Sequence, residues 1–194
     1  MDLHLLNKEQ KIAVEHQNGP LLVLSGAGTG KTRVLTSRFV YIVKNLKIDF
    51  HKIIAVTFTN KAANEIKERV NKELQHNIDS PWIGTFHSIF AKFLRKHSQL
   101  VKLKYNFNIL DTDDQKKLLK QVIEFCKIDN DVNESIYLNE IQNMKDQKIL
   151  SNEKLKISKY SSIEGISDVY KLYQERLLEI NGVDFGDILL HSYQ

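Results

Sequence analysis

A glycine-rich run near the amino terminus carries the clearest chemistry of the chain. An apolar stretch, 21–24, leads into Ser25-Gly26-Ala27-Gly28-Thr29-Gly30-Lys31-Thr32, which follows the phosphate-binding pattern GxxxxGK[ST] with Ser25 in place of its first glycine. The glycines let backbone N–H groups converge on phosphate oxygens without a Cβ in the way. Lys31 would add positive charge at the outer phosphates, and the Thr32 hydroxyl could ligate Mg²⁺. The alternative is a glycine-rich turn before an ordinary helix.

The apolar pattern around this run predicts a strand, a helix and a second strand. The stretch 21–25 is typical of a buried strand, 31–46 of a helix, and 53–58 of another buried strand with β-branched residues. Parallel strands joined by a right-handed crossover bind ligands at their carboxyl ends. The glycine-rich run and the segment 57–60 both lie at such ends, where a ligand site is expected.

Further along, the patterning changes from mixed to helical. Helical spacing predicts a helix over 60–74 capped by Asn60, a short third strand over 82–86, and a helix with a buried apolar stripe within 86–94. From about Thr112 onward every apolar stripe has helical spacing. We therefore predict an α/β fold with an all-helical subdomain inserted after the third strand.

Charge is distributed unevenly along the chain. Residues 1–110 hold 17 Lys and Arg against 8 Asp and Glu, or +9, and residues 111–194 hold 11 against 16, or −5, which together give the net charge of +4. The glycine-rich run thus lies in the basic half, as expected of a module that meets a polyanion. A solvated lysine-rich surface is the alternative explanation.

Composition excludes some classes of protein. Cys126 is the only cysteine, which excludes an intrachain disulfide and indicates a reducing cytoplasm. We interpret Cys126 as a small buried helix residue rather than a catalytic thiol. The apolar runs fall far short of the roughly 20 residues that cross a bilayer, and residues 1–4 lack the layout of a secretory signal. We expect a globular cytoplasmic protein without a membrane partner.

Four more segments complete a family pattern. Residues 6–14 look like a Q motif, 57–66 like motif Ia, 84–88 like motif Ib and 184–190 like motif Ic. With the glycine-rich run, they occur in the order found in the UvrD/Rep/PcrA class of superfamily 1A DNA helicases, which the chain resembles over its whole length. Two positions depart from that pattern. The family usually has Ala where Ser25 stands and an acid where Gly186 stands.

The resemblance implies a fold and a division of the chain. The fold would be that of a P-loop NTPase (RecA-like), a parallel sheet with helices on both faces, plus the helical insertion. Residues 1–110 would form the first part of the motor domain (1A), 111–183 a helical subdomain (1B-like), and 184–194 the start of the return to the motor domain.

The resemblance also implies an ATP and Mg²⁺ site in which Lys31 and Thr32 are the catalytic residues. The Gln10 amide would pair with the N6 and N7 edge of adenine and select ATP over GTP, and Arg33 would stack on the adenine face. The alternatives are a capping-box side chain for Gln10 and a solvated helix cation for Arg33. The implied nucleotide-binding residues are Gln10, Ser25, Gly26, Ala27, Gly28, Thr29, Gly30, Lys31, Thr32 and Arg33.

A single-stranded DNA site is implied at the ends of the predicted strands. Phe58 resembles the family aromatic on which bases stack, and its polar neighbours could hold a backbone phosphate at a helix amino terminus. Outside this context, a lone Phe or His near a strand would be a core residue. The implied DNA-binding residues are Thr57, Phe58, Thr59, Asn60, Lys61, Thr85, His87 and Ser88.

The later Asp-Glu pair that the family needs for hydrolysis, Walker B, has no counterpart in these residues. Asp111, Asp113 and Asp114 follow an apolar pair but are typical of a helix cap with first-turn acids. Asp184 and Asp187 have no apolar strand ahead of them. We therefore interpret the chain as the amino-terminal part of a longer helicase and expect it to be inactive alone.

The resemblance implies an ATP-dependent 3′–5′ DNA helicase in repair or replication. Its partners would be single-stranded DNA, single/double-strand junctions and accessory repair or replication proteins, and it would act as a monomer. Three other functions remain open. They are a non-catalytic truncated binding module, the helicase subunit of a recombination nuclease, and a P-loop kinase or other small NTPase, in which the segments 57–63 and 84–88 would have no role.

Overall fold

The computed structural model describes residues 6–26, 28–75, 82–128 and 133–194. The chain divides into two compact units, residues 1–89 and 90–194. The described residues form a mixed α/β structure that is mostly helical and contains two small parallel sheets. None of the helices in the described ranges combines the length and the hydropathy that a membrane span requires.

The first unit is built from helices around a two-stranded parallel sheet. Its elements are α1 (Lys8–Glu15), α2 (Lys31–Lys44), β1 (Ala55–Thr57), α3 (Asn60–Leu74), β2 (Ile83–Thr85) and the first residues of α4 (Phe86–Lys96). β1 and β2 pair in the register Ala55↔Ile83, Val56↔Gly84 and Thr57↔Thr85. Buried side chains of α2, α3, β1 and β2 form the core of this unit. The sequence predicts these two helices and these two strands.

The first predicted strand is wrong. Residues 21–25 form no β-ladder with any described residue, and they are exposed rather than buried. Leu22 and Leu24 are 80% and 84% exposed. A strand exists only where a neighbour supplies ladder hydrogen bonds, and in the described chain β1 pairs with β2 instead. The apolar run identifies a segment suited to burial, but not the partner that would bury it.

The second unit is mostly helical. Its further elements are β3 (Asn108–Ile109), α5 (Thr112–Phe125), α6 (Glu134–Asp146), α7 (Lys154–Tyr160), α8 (Ile166–Glu179), β4 (Gly182–Val183) and α9 (Phe185–Tyr193). Helices form from Thr112 onward and Asp111 caps α5, both as predicted, but the segment 111–183 is not all-helical because β4 lies in it. β3 and β4 pair in parallel and bracket the four helices α5–α8. The expectation that Asp184 and Asp187 have no apolar strand ahead of them is therefore wrong, because the short buried strand β4 ends at Val183.

A buried ion cluster joins α6 to the start of α9. The Lys145 ammonium lies 2.6 Å from Asp184 Oδ2 and 2.7 Å from Asp187 Oδ1, and these side chains are at most 1% exposed. Tyr173 donates its hydroxyl hydrogen to Asp184, and Gln174 donates its amide hydrogen to Asp187. Asp184 and Asp187 also cap α9, each accepting the backbone N–H of the other. Lys145, Asp184 and Asp187 are called the buried triad below.

Burial and charge act in opposite directions on the buried triad. Burial alone would lower the pKa of Lys145, but the two carboxylate charges raise it above its ordinary value. Burial likewise opposes ionisation of Asp184, yet the Lys145 charge and hydrogen bonds hold the pKa of Asp184 below its ordinary value. Burial and the adjacent Asp184 charge raise the pKa of Asp187. The ammonium is therefore what keeps two neighbouring carboxyl groups in the protein interior.

Candidate functional site

Glycine conformations shape the phosphate loop, residues 25–32. Gly28 has φ 74° and Gly30 has φ 88°, both in the left-handed region that a side chain disfavours. The Thr29 hydroxyl donates to the Gly26 carbonyl at 2.8 Å and closes the turn. Ala27 lies outside the described residues. The loop thus has glycine at the two described positions where its backbone requires it.

Lys31 and the amino terminus of α2 give the phosphate loop its positive charge. The Lys31 ammonium donates to the carbonyl oxygens of Ser25, at 3.1 Å, and Gly26. Gly30 is the N-cap of α2 but offers no side-chain cap, and the first turn of α2 contains no acid. The first N–H groups of a 14-residue helix and an exposed ammonium therefore meet at one loop, an arrangement that favours an anion.

Thr32 is the residue of the loop that fits a Mg²⁺ ion. It is half-buried at the second position of α2, and a hydroxyl oxygen is a ligand that Mg²⁺ accepts. Among the described residues, no group of three or more His, Cys, Asp or Glu side chains could hold a metal. An ion at Thr32 would therefore take its remaining ligands from phosphate oxygens and water.

Gln10 links α1 to the phosphate loop. Its Oε1 accepts the Asn7 N–H at 3.1 Å, and its own N–H donates to Asn7 Oδ1, which forms the predicted capping box. Its Nε2 donates to the Thr29 carbonyl at 3.1 Å. Arg33, the other residue expected at adenine, is exposed at the third position of α2. Capping and loop support are thus present in the structure, while adenine recognition stays a prediction for both side chains.

The predicted DNA-contact segments lie side by side. Thr57 and Thr85 are register partners at the carboxyl ends of β1 and β2. α3 begins at Asn60, three residues after Thr57, and α4 begins at Phe86, directly after Thr85. Neither helix has an acid in its first turn. The cap of α3 is Thr59, whose hydroxyl accepts the Ala62 N–H at 3.2 Å, and not the predicted Asn60. Two helix amino termini therefore point their N–H groups toward one edge of the sheet.

Two phenylalanines form an exposed pair at this edge. Phe58 is 93% exposed and Phe86 is 43% exposed, and their ring centroids lie 6.0 Å apart with a 53° tilt. The prediction of a buried Phe86 is therefore wrong, and so is that of a buried Phe93, which is 39% exposed. Thr57, Phe58, Thr59, Thr85 and Phe86 are called the strand-end platform below.

Other predicted contact residues lie in the first turns beyond the strand-end platform. Asn60 and Lys61 are exposed at the start of α3, and His87 is exposed at the second position of α4. Ser88 donates its hydroxyl hydrogen to the Thr85 carbonyl at 2.9 Å and is half-buried. Ser88 therefore closes the first turn of α4, whereas the other three present polar groups to solvent.

The phosphate loop and the strand-end platform share a cavity. An open cavity of about 730 Å³ is lined by Lys31 and Thr32 of the phosphate loop and by Thr57, Phe58 and Thr59 of the strand-end platform. Apolar side chains of 21–23, α2 and α3 complete its wall, and its described lining contains no carboxylate. A phosphate-bearing ligand at Lys31 and a ligand on Phe58 would therefore lie against the same cavity.

Phe86 is the platform residue that the sequence prediction missed. Helical spacing assigned it to the buried side of α4, because periodicity identifies a stripe but not what covers it. A usable signal was the repeated Thr-Phe pair, Thr57-Phe58 and Thr85-Phe86, at the ends of two predicted neighbouring strands. Equivalent positions on paired parallel strands place such repeats next to each other.

Known proteins resemble the chain throughout its length. It is 36% identical over 197 residues to a "Probable DNA helicase II homolog" of Mycoplasma capricolum, a match that covers 99% of this chain and 27% of that protein. It is 36% identical to proteins named "ATP-dependent DNA helicase PcrA" from Leuconostoc citreum and Staphylococcus aureus, with 95% and 97% of this chain and 25% and 26% of theirs covered. The chain thus spans about a quarter of the length of these curated relatives.

The family profile described as "UvrD/REP helicase N-terminal domain" matches residues 6–194. This match includes the phosphate loop, the strand-end platform and the helical second unit. The chain therefore belongs to the UvrD/REP helicase N-terminal domain family.

Proposed function

We propose that this chain is the ATP- and single-stranded-DNA-binding amino-terminal part of an ATP-dependent 3′–5′ DNA helicase. The observation that carries the proposal is the shared cavity, which both Lys31 and Thr32 and three residues of the strand-end platform line. Relatives named as ATP-dependent DNA helicases, matched over 95% to 97% of this chain, support the same function. The fold that we propose is the P-loop, RecA-like one, with the division 1–110, 111–183 and 184–194.

The nucleotide would bind on the phosphate loop. The N–H groups of residues 25–32 would donate to the phosphates, Lys31 would exchange its carbonyl partners for phosphate oxygens, and Thr32 would ligate Mg²⁺. When bound, the ion would draw negative charge away from the phosphates. Gln10 and Arg33 would hold adenine, and Gln10 already supports the loop through Thr29.

The DNA strand would bind on the strand-end platform. Phe58 is almost fully exposed, so its ring face is available to a base. Stacking contributes about 1–3 kcal/mol per base without requiring a particular sequence. The amino termini of α3 and α4 would receive backbone phosphates, with Asn60, Lys61 and His87 beside them. We propose that the strand is single-stranded DNA or the single-stranded side of a junction.

Hydrolysis is proposed for the whole protein and not for this chain alone. The described lining of the shared cavity contains no carboxylate that could orient an attacking water or hold the metal ion. We expect the purified chain to bind ATP without DNA-stimulated phosphate release. Such release, lost in Lys31→Ala, would contradict this expectation. We further propose a cytoplasmic monomer that works in repair or replication with accessory proteins.

A nucleotide titration tests the proposal. A fluorescent ATP analogue with Mg²⁺ should bind the chain, and Lys31→Ala should weaken binding strongly because it removes the loop ammonium. The matched control is Lys72→Ala, which removes an exposed cation in the last turn of α3 and should bind as the wild type does. Equal affinities for wild type and Lys31→Ala would contradict a phosphate site at this loop.

A further inference from the structure

One stretch of the second unit, from within α4 to β3, concentrates positive charge. Residues 90–110 contain five Lys or Arg and no Asp or Glu, whereas residues 111–194 contain 11 Lys or Arg and 16 Asp or Glu. The second unit is therefore neutral as a whole, with 16 charges of each sign, but strongly polarised along the chain. Residues 98–106 are called the basic loop here. A basic stretch of this length without acidic residues produces a local positive potential, which attracts a polyanion.

Hydrogen bonds and buried side chains anchor the backbone of the basic loop. Arg95 donates from Nη1 to the carbonyl oxygens of Tyr105 and Phe107, at 3.1 Å each, and its guanidinium stacks 4.4 Å from the Phe107 ring centroid. The Lys104 N–H donates to Asn181 Oδ1 at 2.8 Å. Leu103 and Phe107 are buried, at 5% and 1% exposure. The loop is thus fixed by its neighbours, and its outward side chains are displayed in a defined arrangement.

Those outward side chains are apolar, aromatic and cationic. Leu100 is 82% exposed and Tyr105 is 75% exposed, and Lys102 and Lys104 are exposed between them. In the described part of the chain, neither lysine pairs with an acid, whereas Lys117 and Lys156 in the same unit do. Arg95 is committed to the loop backbone, so Lys102, Lys104 and the Tyr105 ring are the cationic and aromatic groups that the loop offers to a ligand.

We propose that the basic loop is a second contact surface for single-stranded nucleic acid. Lys102 and Lys104 pair with backbone phosphates, and the Tyr105 ring stacks on a base. The inference rests on the proposed function, because the polyanion in question is the class of ligand that the proposed function binds. A nucleic-acid strand matches both features of the loop, since it repeats a negative charge and a flat ring at every nucleotide. An acidic peptide would supply the charge without the repeated rings.

The salt dependence of binding tests the two lysines. Each phosphate contact on a single strand contributes about 0.7 to the slope of log affinity against log salt concentration. The double substitution Lys102→Gln with Lys104→Gln should therefore flatten the slope by about 1.4 for a labelled oligothymidine. The matched control is Lys127→Gln with Lys159→Gln, which removes two exposed lysines elsewhere in the unit and should leave the slope unchanged. An unchanged slope in the loop variant overturns the proposal.

A second pair of variants tests the ring. Tyr105→Leu keeps an apolar side chain but removes the stacking face, so it should weaken oligonucleotide binding about fivefold or more while leaving the salt slope unchanged. Tyr105→Phe keeps the ring and should bind as the wild type does. Equal affinity of Tyr105→Leu and wild type overturns the stacking assignment. All variants change exposed side chains, so unchanged far-UV circular dichroism and urea midpoints are expected in the same samples.

Two further measurements separate this inference from the proposed function and from a membrane site. Loss of binding in Phe58→Ala with no effect in the loop variants overturns the basic loop alone. Weaker binding in the loop variants, with Phe58→Ala equal to wild type, overturns the strand-end platform and keeps the loop. Vesicles of phosphatidylserine and phosphatidylcholine should not bind. If they bind through Lys102 and Lys104 while the oligonucleotide does not, the loop is a lipid surface and the proposal is wrong.

Discussion

Replacing Lys145 by methionine should destabilise the second unit in a pH-dependent way. Methionine has a similar length but no charge, so the variant leaves Asp184 and Asp187 in the interior without their cation, at 1% exposure each. Removing one partner of a buried ion pair costs about 3–5 kcal/mol. That is a large share of the roughly 5–15 kcal/mol that stabilises a typical domain. We expect the free energy of unfolding to fall by about that amount near neutral pH.

The pH dependence of the Lys145→Met variant shows whether its loss of stability comes from the uncompensated carboxylate charges. Without Lys145, burial and mutual repulsion should raise the pKa of both carboxyl groups in the folded state. For Asp184 this is the opposite of the wild type, in which its pKa lies below the ordinary value. A carboxyl with a raised folded-state pKa binds protons more tightly in the folded than in the unfolded chain. Folding is then favoured as pH falls, by up to about 1.4 kcal/mol per pH unit for each group. The deficit of Lys145→Met relative to wild type should therefore shrink between about pH 8 and pH 5.

Urea unfolding followed by circular dichroism at several pH values provides the measurement, because the second unit is mostly helical. The matched control is Lys154→Met, whose ammonium lies 3.8 Å from Asp168 with both side chains more than 70% exposed. It should change stability by less than about 1 kcal/mol. A Lys145→Met deficit that stays constant across the pH range would refute the reasoning, since a packing defect would not depend on protonation.

Three further predictions address other parts of the structure. Burial raises the pKa of Tyr173 and the carboxylate charges raise that of Lys145, so the unfolded chain releases these protons first and stability should fall above about pH 10. In urea unfolding, Tyr173→Phe should remove up to about 1.4 kcal/mol per pH unit of that dependence. Gly186→Ala should lower the melting temperature despite the better helix propensity of alanine, because its Cβ would lie 2.6 Å from Gln142 Nε2 and 2.9 Å from Lys145 Cδ. Gln10→Ala should weaken ATP binding and leave GTP binding nearly unchanged in a competition titration, whereas equal losses would assign Gln10 to capping and to support of the phosphate loop.

Features set by neighbouring residues were predictable from the sequence. The capping box of Asn7 and Gln10 and the Asp111 cap depend on side chains three residues from their partners. The helices α2 and α3 follow from apolar spacing within one segment. Such signals are local, so they survive without any knowledge of the tertiary structure.

Features set by distant partners were not predictable in the same way. Asn108 pairs with Gly182 across the whole helical segment, and a two-residue strand has no periodicity to detect. Lys145 and Asp184 are 39 positions apart, and nothing local distinguishes them from solvated charges. The stretch 21–25 has a strand-like composition, but its pairing depends on a neighbour that composition does not identify.

Binding of a labelled oligothymidine by Phe58→Ala tests the central claim most directly. The account predicts an affinity loss of about 1–3 kcal/mol from lost stacking, with the salt slope unchanged because no charge is removed. The melting temperature should also be unchanged, because the Phe58 side chain is 93% exposed and contributes almost nothing to the core. Fluorescence anisotropy over several salt concentrations, with a thermal melt of the same samples, measures both. Wild-type affinity, or a much lower melting temperature, would contradict a DNA-binding platform at Phe58.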